Sequence, residues 1–353
     1  MPGEAQWGGF SHPKPTAPWS GDHHRLHRLL QRQPELLPAG APLLLAVSGG
    51  QDSMALLGLL LDLRTRHSWR LSLWHGDHRW RPESAQQAAE LAAWAAGRGL
   101  PLELERWRRP AGQRPTEAAA RQWRYGRLAQ RARELGSTRV LTGHTATDRA
   151  ETLLLNLARG SHRRGLASLR RRRRLEGAVE LVRPLLEFDR SDTARICRAL
   201  ELPVWSDSSN GDGTFSRNRL RLEVGPVLNA LHPGADRRIA RAAEQLAEAE
   251  AASGELLQLA LEPLLRPAPP EAVGAGLDWR RLAALQRANQ GQLLMLWLER
   301  HSGRRWPARS LETPLQRLAA GRGPGRADLG DGWQLRWRAT TLWLCRDSAP
   351  AEP

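Results

Sequence analysis

The sequence predicts an α/β protein: a doubly wound parallel sheet, followed by a helical segment and a small α+β C-terminal domain. Three observations carry this. As far as Leu200, short apolar runs alternate with longer amphipathic stretches, the pattern of strands that each feed a crossover helix. Past Leu220 the pattern changes to a long stretch rich in Ala and Glu. Near the end, WQLRWRATTLWLC alternates apolar and polar residues with the period of a sheet.

Residues 1–22 are rich in Pro and Gly and are expected to be a disordered tail. Leu43–Val47 reads as a buried strand and Met54–Arg64 as the helix after it. Leu71–Trp74 is a second strand, Pro82–Arg98 a helix, Leu102–Arg106 a strand and Thr116–Leu135 a helix. Arg139–Leu141, a helix over Thr147–Arg159, a strand at Val179–Arg183 and a helix over Ser191–Leu200 continue the alternation. Together these give a first domain over residues 23–222 and a second over 223–353. In the second, Ala235–Leu265 is helical, RPAPPEAVGAG (266–276) reads as a linker, and Leu282–Arg300 is helical again. Trp333, Leu335 and Trp337 then point one way and Gln334, Arg336 and Arg338 the other, with Leu342 and Leu344 set against Trp343 and Cys345, as in a hairpin.

Charge narrows the function. The net charge of +16 points to a polyanionic partner, most often nucleic acid. Lys14 is the sole lysine, so a Walker loop and a Schiff-base lysine are both excluded. Cys197 and Cys345 form no CxxC pair or metal-ligand cluster, which fits a reducing compartment. The N-terminus lacks the apolar core of a signal peptide, and no apolar run approaches a membrane span. A cytoplasmic location without membrane contact is the expectation.

The chemistry starts at LLLAVSGGQDSMALL (43–57). In an open α/β sheet, ligands bind at the carboxyl ends of the strands, and Ser48-Gly49-Gly50 stands at such an end. Two glycines let the backbone turn sharply, and the N–H groups of the next helix favour an anion such as phosphate. Ser48 and Ser53 add hydroxyls. Asp52 would repel a bare phosphate, so it makes most sense holding a Mg²⁺ that bridges phosphates. The competing reading is a Ser-capped helix with an acid in its first turn.

SGGQDS (48–53) resembles the SGGxDS loop of the N-type ATP pyrophosphatases, the PP-loop superfamily. The resemblance implies a Rossmann-like domain that binds ATP and Mg²⁺ through Ser48, Gly49, Gly50, Gln51, Asp52 and Ser53. Four further segments resemble one family within it, the tRNA(Ile)-lysidine synthetases. WHGDHRWR (74–81) matches at His75, Asp77, His78 and Arg81, and the resemblance puts His78 with the nucleotide. EAAARQWRY (117–125) matches at Glu117, Arg121, Arg124 and Tyr125; Arg121 and Arg124 share a helix face that suits phosphates, or form an ordinary solvated basic face. GHTATDRAETLLLNLARGS (143–161) sets His144, Asp148 and Glu151 on one helical stripe, able to hold a cationic amine and Mg–ATP. A capping box between Thr145 and Asp148 would explain Asp148 alone. Thr147 and Arg149 depart from the family's Asp and Gln. DSSNGDGTFSRNRLR (207–221) matches at Asp207, Ser209, Asn210, Arg217, Asn218 and Arg221, and is otherwise a loop capping a helix at Ser216.

These segments span residues 43–228, in order. The resemblance implies ATP-dependent ligation of free L-lysine to C2 of the wobble cytidine of tRNA(Ile) with anticodon CAU, through an adenylated cytidine. Asp52, His144, Asp148 and Glu151 would then be catalytic, Asp52 the metal ligand, and Arg121, Arg124, Arg217, Asn218 and Arg221 would hold substrate. Asp77 is a further candidate for the lysine ammonium, and the second domain is expected to bind tRNA. ARGSHRRGLASLRRRRR (158–174), with eight Arg and no acid, is either a solvated loop or a clamp on tRNA phosphates. The nearest rival is a tRNA 2-thiolase of the same superfamily, in which Cys197, flanked by Arg, would be the one candidate thiolate. NAD or GMP synthetases and a non-catalytic tRNA-binding protein are further rivals.

Overall fold

The computed structural model describes residues 19–78, 83–108, 116–205, 216–319 and 323–346. They form two compact units, Met1–Ala247 and Glu248–Pro353.

The first unit begins with helix α1 (Gly21–Arg32), two residues inside the expected tail. Ser20 caps it, and His23 returns a bond to the Ser20 backbone. Then come β1 (Pro42–Ala46), α2 (Gln51–His67), β2 (Arg70–Asp77), α3 (Ser84–Ala96), β3 (Leu102–Arg106), α4 (Glu117–Glu134), β4 (Arg139–Thr142) and α5 (Ala146–Ala158). The four-residue α6 (Arg163–Leu166) leads to β5 (Arg172–Glu176), β6 (Val179–Val182) and α7 (Arg190–Ala199). After residues 206–215, α8 (Ser216–Arg219), a π turn over Leu220–Val224 and α9 (Gly225–Leu231) precede α10 (Ala235–Leu261), which runs past the end of the unit.

Among the described residues the sheet has the order β3-β2-β1-β4-β6-β5, parallel except for β5. Both faces of it are covered, which explains the unbroken apolar run of β1. Leu43 and Leu45 pack with α1 and α2 on one face, while Leu44 packs with Trp74, Tyr125 and Leu128 on the other. The chain leaves β1 in one direction across the sheet and returns to β4 on the opposite side. The crevice beyond the carboxyl ends of β1 and β4 is therefore the topological switch point, where such folds take ligands.

β5 corrects the reading of residues 158–174 as a loop. Arg172 through Glu176 pair antiparallel with β6 at the sheet edge. No apolar period marks this strand. Its pairing and its ion pairs hold it: Arg172 bonds Glu180 at 2.9 Å, and the buried Arg171 bonds Glu244 at 2.8 Å and Glu187 at 3.2 Å.

In the second unit a 3₁₀ turn over Glu262–Leu264 leads into β7 (Leu265–Arg266), then β8 (Gly276–Asp278), α11 (Trp279–Ala283) and α12 (Arg287–Ser302). A second 3₁₀ turn (Ala308–Leu311), α13 (Glu312–Ala319), β9 (Gly325–Gly330), β10 (Trp333–Arg338) and β11 (Thr341–Arg346) complete it. The sheet order is β7-β8-β11-β10-β9. The expected hairpin is present as β10 and β11, with Trp333, Leu335 and Trp337 buried on one face. The stretch 266–276 is not an interdomain linker, because its two ends pair as β7 and β8 and the Val273 N–H donates to the Leu344 carbonyl.

Candidate active site

The SGGQDS loop leaves β1 and enters α2 through Gly49, whose φ of +82° lies in the left-handed region that glycine tolerates. A Cβ there would also meet the Trp205 ring at 3.1 Å. The Trp205 N–H donates to the Gly49 carbonyl, and its indole N–H donates to Glu90 at 2.6 Å, so the turn is braced from outside. Hydroxyls tie the loop from within. Ser53 Oγ donates to the Gly50 carbonyl at 2.8 Å and accepts from the Ser48 N–H at 3.2 Å. Helix α2 has Gly50 as its N-cap and no side chain capping it. The Ser-capped alternative is therefore not what folds, and an uncapped helix end behind a left-handed glycine fits a phosphate anion.

Asp52 lies in the first turn of α2. The buried Thr193 hydroxyl on α7 donates to its Oδ1 at 2.6 Å. Burial and the nearby Asp148 carboxylate hold the Asp52 carboxyl above its usual range, against Arg190, the Thr193 hydrogen bond and Arg221. Two acids brought together at the end of an anion loop favour a cation between them and the phosphates, so the donor set fits Mg²⁺. The Gln51 amide donates to the Arg190 carbonyl at 2.8 Å and to Thr193 at 2.7 Å, so its side chain ties α2 to α7.

The β4–α5 loop faces this turn closely. A Cβ on Gly143 would stand 2.7 Å from the backbone of Asp52 and Ser53. His144 follows, one residue before the N-cap Thr145, so it is not on the α5 stripe that its spacing predicted. Its Nδ1 pairs with the Thr142 hydroxyl at 2.9 Å. Burial drives the imidazole toward the neutral form, helped by Arg183, Arg124 and Arg217 and opposed by Asp148.

Asp148 makes the capping box with Thr145 and also meets two arginines. Its Oδ2 accepts from the Thr145 N–H at 2.8 Å, and its Oδ1 accepts from Arg217 at 3.0 Å and Arg221 at 3.5 Å. Burial opposes its charge, but Arg217, the Thr145 N–H and Arg221 outweigh that and hold it below the usual carboxylate range. The buried Glu151 accepts from Arg217 Nε at 2.8 Å and Arg221 Nε at 2.7 Å. Asp148, Glu151, Arg217 and Arg221 thus form one neutral cluster, with Asn218 half-buried beside it on α8.

The two departures inside this segment have structural work. The Thr147 hydroxyl donates to Asp236 at 3.3 Å, and the buried Arg149 pairs with Glu244 at 3.2 Å, both on α10.

The end of β2 is tied to the end of β1 by His75, whose Nδ1 donates to the Val47 carbonyl at 2.8 Å. Asp77 is buried there. The His78 ring sits edge-on to Trp107 and Trp123. Burial, then Arg124 and His75, push its pKa down to about 4 against Asp77. Arg121 and Arg124 project from α4 over the Tyr125 ring at 4.9 and 5.3 Å.

The fold thus gathers Asp52, His144, Asp148, Glu151, Arg217 and Arg221 around the β1–β4 crevice, while Arg121 and Arg124 stand on the α4 side. Arg81, Asp207, Ser209 and Asn210, and the side chain of Glu117, lie outside the described residues. Sequence reading missed Thr193, Arg190, Trp205 and Arg183, which belong to no motif and arrive through α7, the chain beyond it and the end of β6. Cys197 is not the activated thiolate that the rival thiolase reading would need: burial and Asp52 push the thiol up to about 11, and its Sγ–H donates to the Gln51 carbonyl.

Residues 22–228 match a family model described as a PP-loop domain. The chain is 50% identical over 331 residues to the tRNA(Ile)-lysidine synthase of Parasynechococcus marenigrum, covering 92% of this chain and 95% of that one. It is 40% identical over 338 residues to the tRNA(Ile)-lysidine synthase of Prochlorococcus marinus, covering 94% of this chain and 98% of that one. Among solved structures, the U34-tRNA thiolase from Methanococcus maripaludis superposes with a TM-score of 0.54 at 16% identity, over 64% of this chain and 77% of that chain, a likeness of fold. With an SGGQDS turn at the switch point and half of its aligned positions shared with such an enzyme along almost its whole length, the chain belongs to the tRNA(Ile)-lysidine synthase family, on a PP-loop domain.

Proposed function

We propose that the protein uses ATP to ligate free L-lysine to C2 of the wobble cytidine of tRNA(Ile) with anticodon CAU, by way of an adenylated cytidine. The observation that carries this is the identity of 50% across 92% of the chain with a tRNA(Ile)-lysidine synthase. The uncapped α2 end, the left-handed Gly49 and the Ser48 and Ser53 hydroxyls would hold the departing pyrophosphate. Asp52 would hold Mg²⁺, which when bound supplies charge neutralisation to the phosphates. Thr193 orients the Asp52 carboxylate, and the Gln51 amide fixes Thr193.

Asp148 and Glu151 are the acids proposed for the lysine ammonium, and Arg217, Asn218 and Arg221 for the RNA. In the described structure the acids and the arginines hold one another. Our reading is that RNA phosphates draw the arginines away and free the acids for the amine. Arg217 and Arg221 stand on a four-residue helix and a π turn, an irregular backbone that reorganises at small cost. His144, kept neutral, offers the cytidine a hydrogen bond without adding charge. His78 is proposed for the nucleotide, Arg121 and Arg124 for RNA phosphates, and the second unit for further tRNA contact.

The test is direct. Incubate the protein with CAU-anticodon tRNA(Ile), Mg–ATP and labelled lysine, then digest the RNA. Label in a modified cytidine is the expected result. ATP cleavage to AMP with no label in the RNA rejects the reading.

A further inference from the structure

Helix α4 carries two populations of arginine. Arg127 pairs with Glu105, Arg131 with Glu103 and Glu134, and Arg133 with Glu176. Toward the other end of the helix, Arg121 and Arg124 pair with no carboxylate among the described residues. β5 divides in the same way. Arg172, and Arg171 just before the strand, pair with Glu187, Glu244, Glu180 and Glu35, while Arg173 of β5, over the Tyr125 ring of α4, has no acid among the described residues. Where an arginine is structural in this region, the chain supplies its acid.

The arginines without acids converge. Arg121, Arg124 and Arg173 stand 4.9, 5.3 and 4.8 Å from the centre of the Tyr125 ring. Arg183, only 2% exposed, comes from the end of β6 to the same place; one of its terminal nitrogens donates to the Arg170 carbonyl at 2.5 Å. The buried Arg124 Nε has no hydrogen-bond partner among the described residues, and Arg183 Nε and the Tyr125 hydroxyl face each other without a hydrogen bond of normal geometry. A buried cation with unfilled donors is costly unless an anion completes it. The basin is graded, with Arg173 exposed at its mouth, Arg121 and Arg124 half-buried and Arg183 at its floor.

We propose that Arg121, Arg124, Arg173, Arg183 and the Tyr125 hydroxyl form a phosphate-binding basin that takes a backbone phosphate of the RNA substrate. Arg173, Arg183 and Tyr125 are its new members. A phosphate brings several acceptor oxygens, and guanidinium forks match them with paired hydrogen bonds. The charges of Arg124 and Arg183 also act on His144, so the bound phosphate lies near the target base and anchors it against the β1–β4 crevice. An RNA phosphate fits better than one of ATP, because the basin opens beside the exposed Arg173 and Arg174 of the edge strand, while the α2 end already offers the nucleotide its anion seat. The site rests on the reading that this protein binds tRNA.

The test titrates fluorescent tRNA(Ile) transcript into the full chain at several salt concentrations, for Arg173→Ser, Arg183→Gln, Arg183→Lys and Tyr125→Phe. ATP binding is measured in parallel by calorimetry, and folding by thermal melts. Arg173→Ser and Arg183→Gln should each weaken RNA binding about 5- to 10-fold and lower the salt slope by about 0.7 to 1, with ATP affinity unchanged. Arg183→Lys should restore the slope and only part of the affinity, since ammonium lacks the fork. Tyr125→Phe should weaken binding without changing the slope. An unaltered slope in folded Arg173→Ser overturns the basin, and this exposed position keeps the test open if Arg183→Gln fails to fold. Loss of ATP affinity with RNA binding intact also overturns it, assigning the basin to a nucleotide phosphate. Lysine transfer by the unmodified protein is scored separately, so failure of the proposed reaction and failure of the basin are told apart.

Discussion

The role proposed for Asp52 works against stability. Its folded-state carboxyl is raised by burial and by Asp148, so ionisation is disfavoured in the fold. That penalty grows as pH rises from the unfolded value and is complete above the folded one. Asp52→Asn should therefore melt higher than the parent at pH 7, with the gain fading as pH falls through the raised folded value and all but gone by ~4. The same variant should lose at least ~100-fold in lysine transfer, because no carboxylate remains for the cation. Near-normal transfer by a folded Asp52→Asn protein rejects the role. The cysteines separate the proposed reaction from sulfur transfer. Sulfur chemistry needs a thiolate, yet burial raises the Cys197 thiol to about 11 and Cys345 is buried in β11. The double variant Cys197→Ser, Cys345→Ser should keep its lysine transfer and lose no more than ~1–2 kcal/mol of stability. A folded double variant that no longer modifies tRNA would return sulfur transfer to the front. SGGQDS was legible because its chemistry is local: glycine, hydroxyl and acid within six positions. Thr193 was not, because 141 positions separate it from Asp52 and only packing joins them.

At the level of elements, the parallel sheet was legible because its inner strands β1, β2 and β4 are largely buried and read as apolar runs, while the edge strand β3 alternates Leu with Glu. β5 and β9 were missed because their register comes from neighbours. The first is mostly arginine, and GRADLG offers only Ala327 and Leu329 to the core. His144 was put on α5 by spacing alone, whereas the Thr145 cap starts the helix one residue later. That offset matters, since it leaves Gly143 and His144 as a short loop pressed against α2. Gly143→Ala would drive a methyl into the Asp52 and Ser53 backbone, which cannot yield as a side chain would. Overpacking of this kind costs about 1–3 kcal/mol. ATP affinity should fall more than the melting temperature suggests, because the displaced element is the phosphate turn. Unchanged ATP binding in calorimetry would show that the β4–α5 loop does not set that turn.

Across the whole molecule, each unit has its own apolar core, and the boundary between Ala247 and Glu248 lies inside α10, beyond the expected 222/223. A boundary inside a helix leaves no Pro or Gly signal, which is why the break at 266–276 attracted the linker reading instead. The net charge of +16 is likewise a property of the whole chain, and part of it is placed on the outer strand of the first sheet. β5 pairs with β6 along one side and presents Arg172, Arg173 and Arg174 in succession. An open strand edge is a template on which a second copy could add its own strand and begin an aggregate. Two copies meeting through β5 would set rows of guanidinium groups against each other, so the charge that suits RNA also keeps the molecules apart. Bound RNA would cancel that repulsion, leaving solubility coupled to occupancy. Replacing Arg173 and Arg174 with Thr should make the free protein self-associate as its concentration rises, read as growth of the light-scattering mass at low salt, and a mass that stays constant would show that this edge is guarded by something other than its charge.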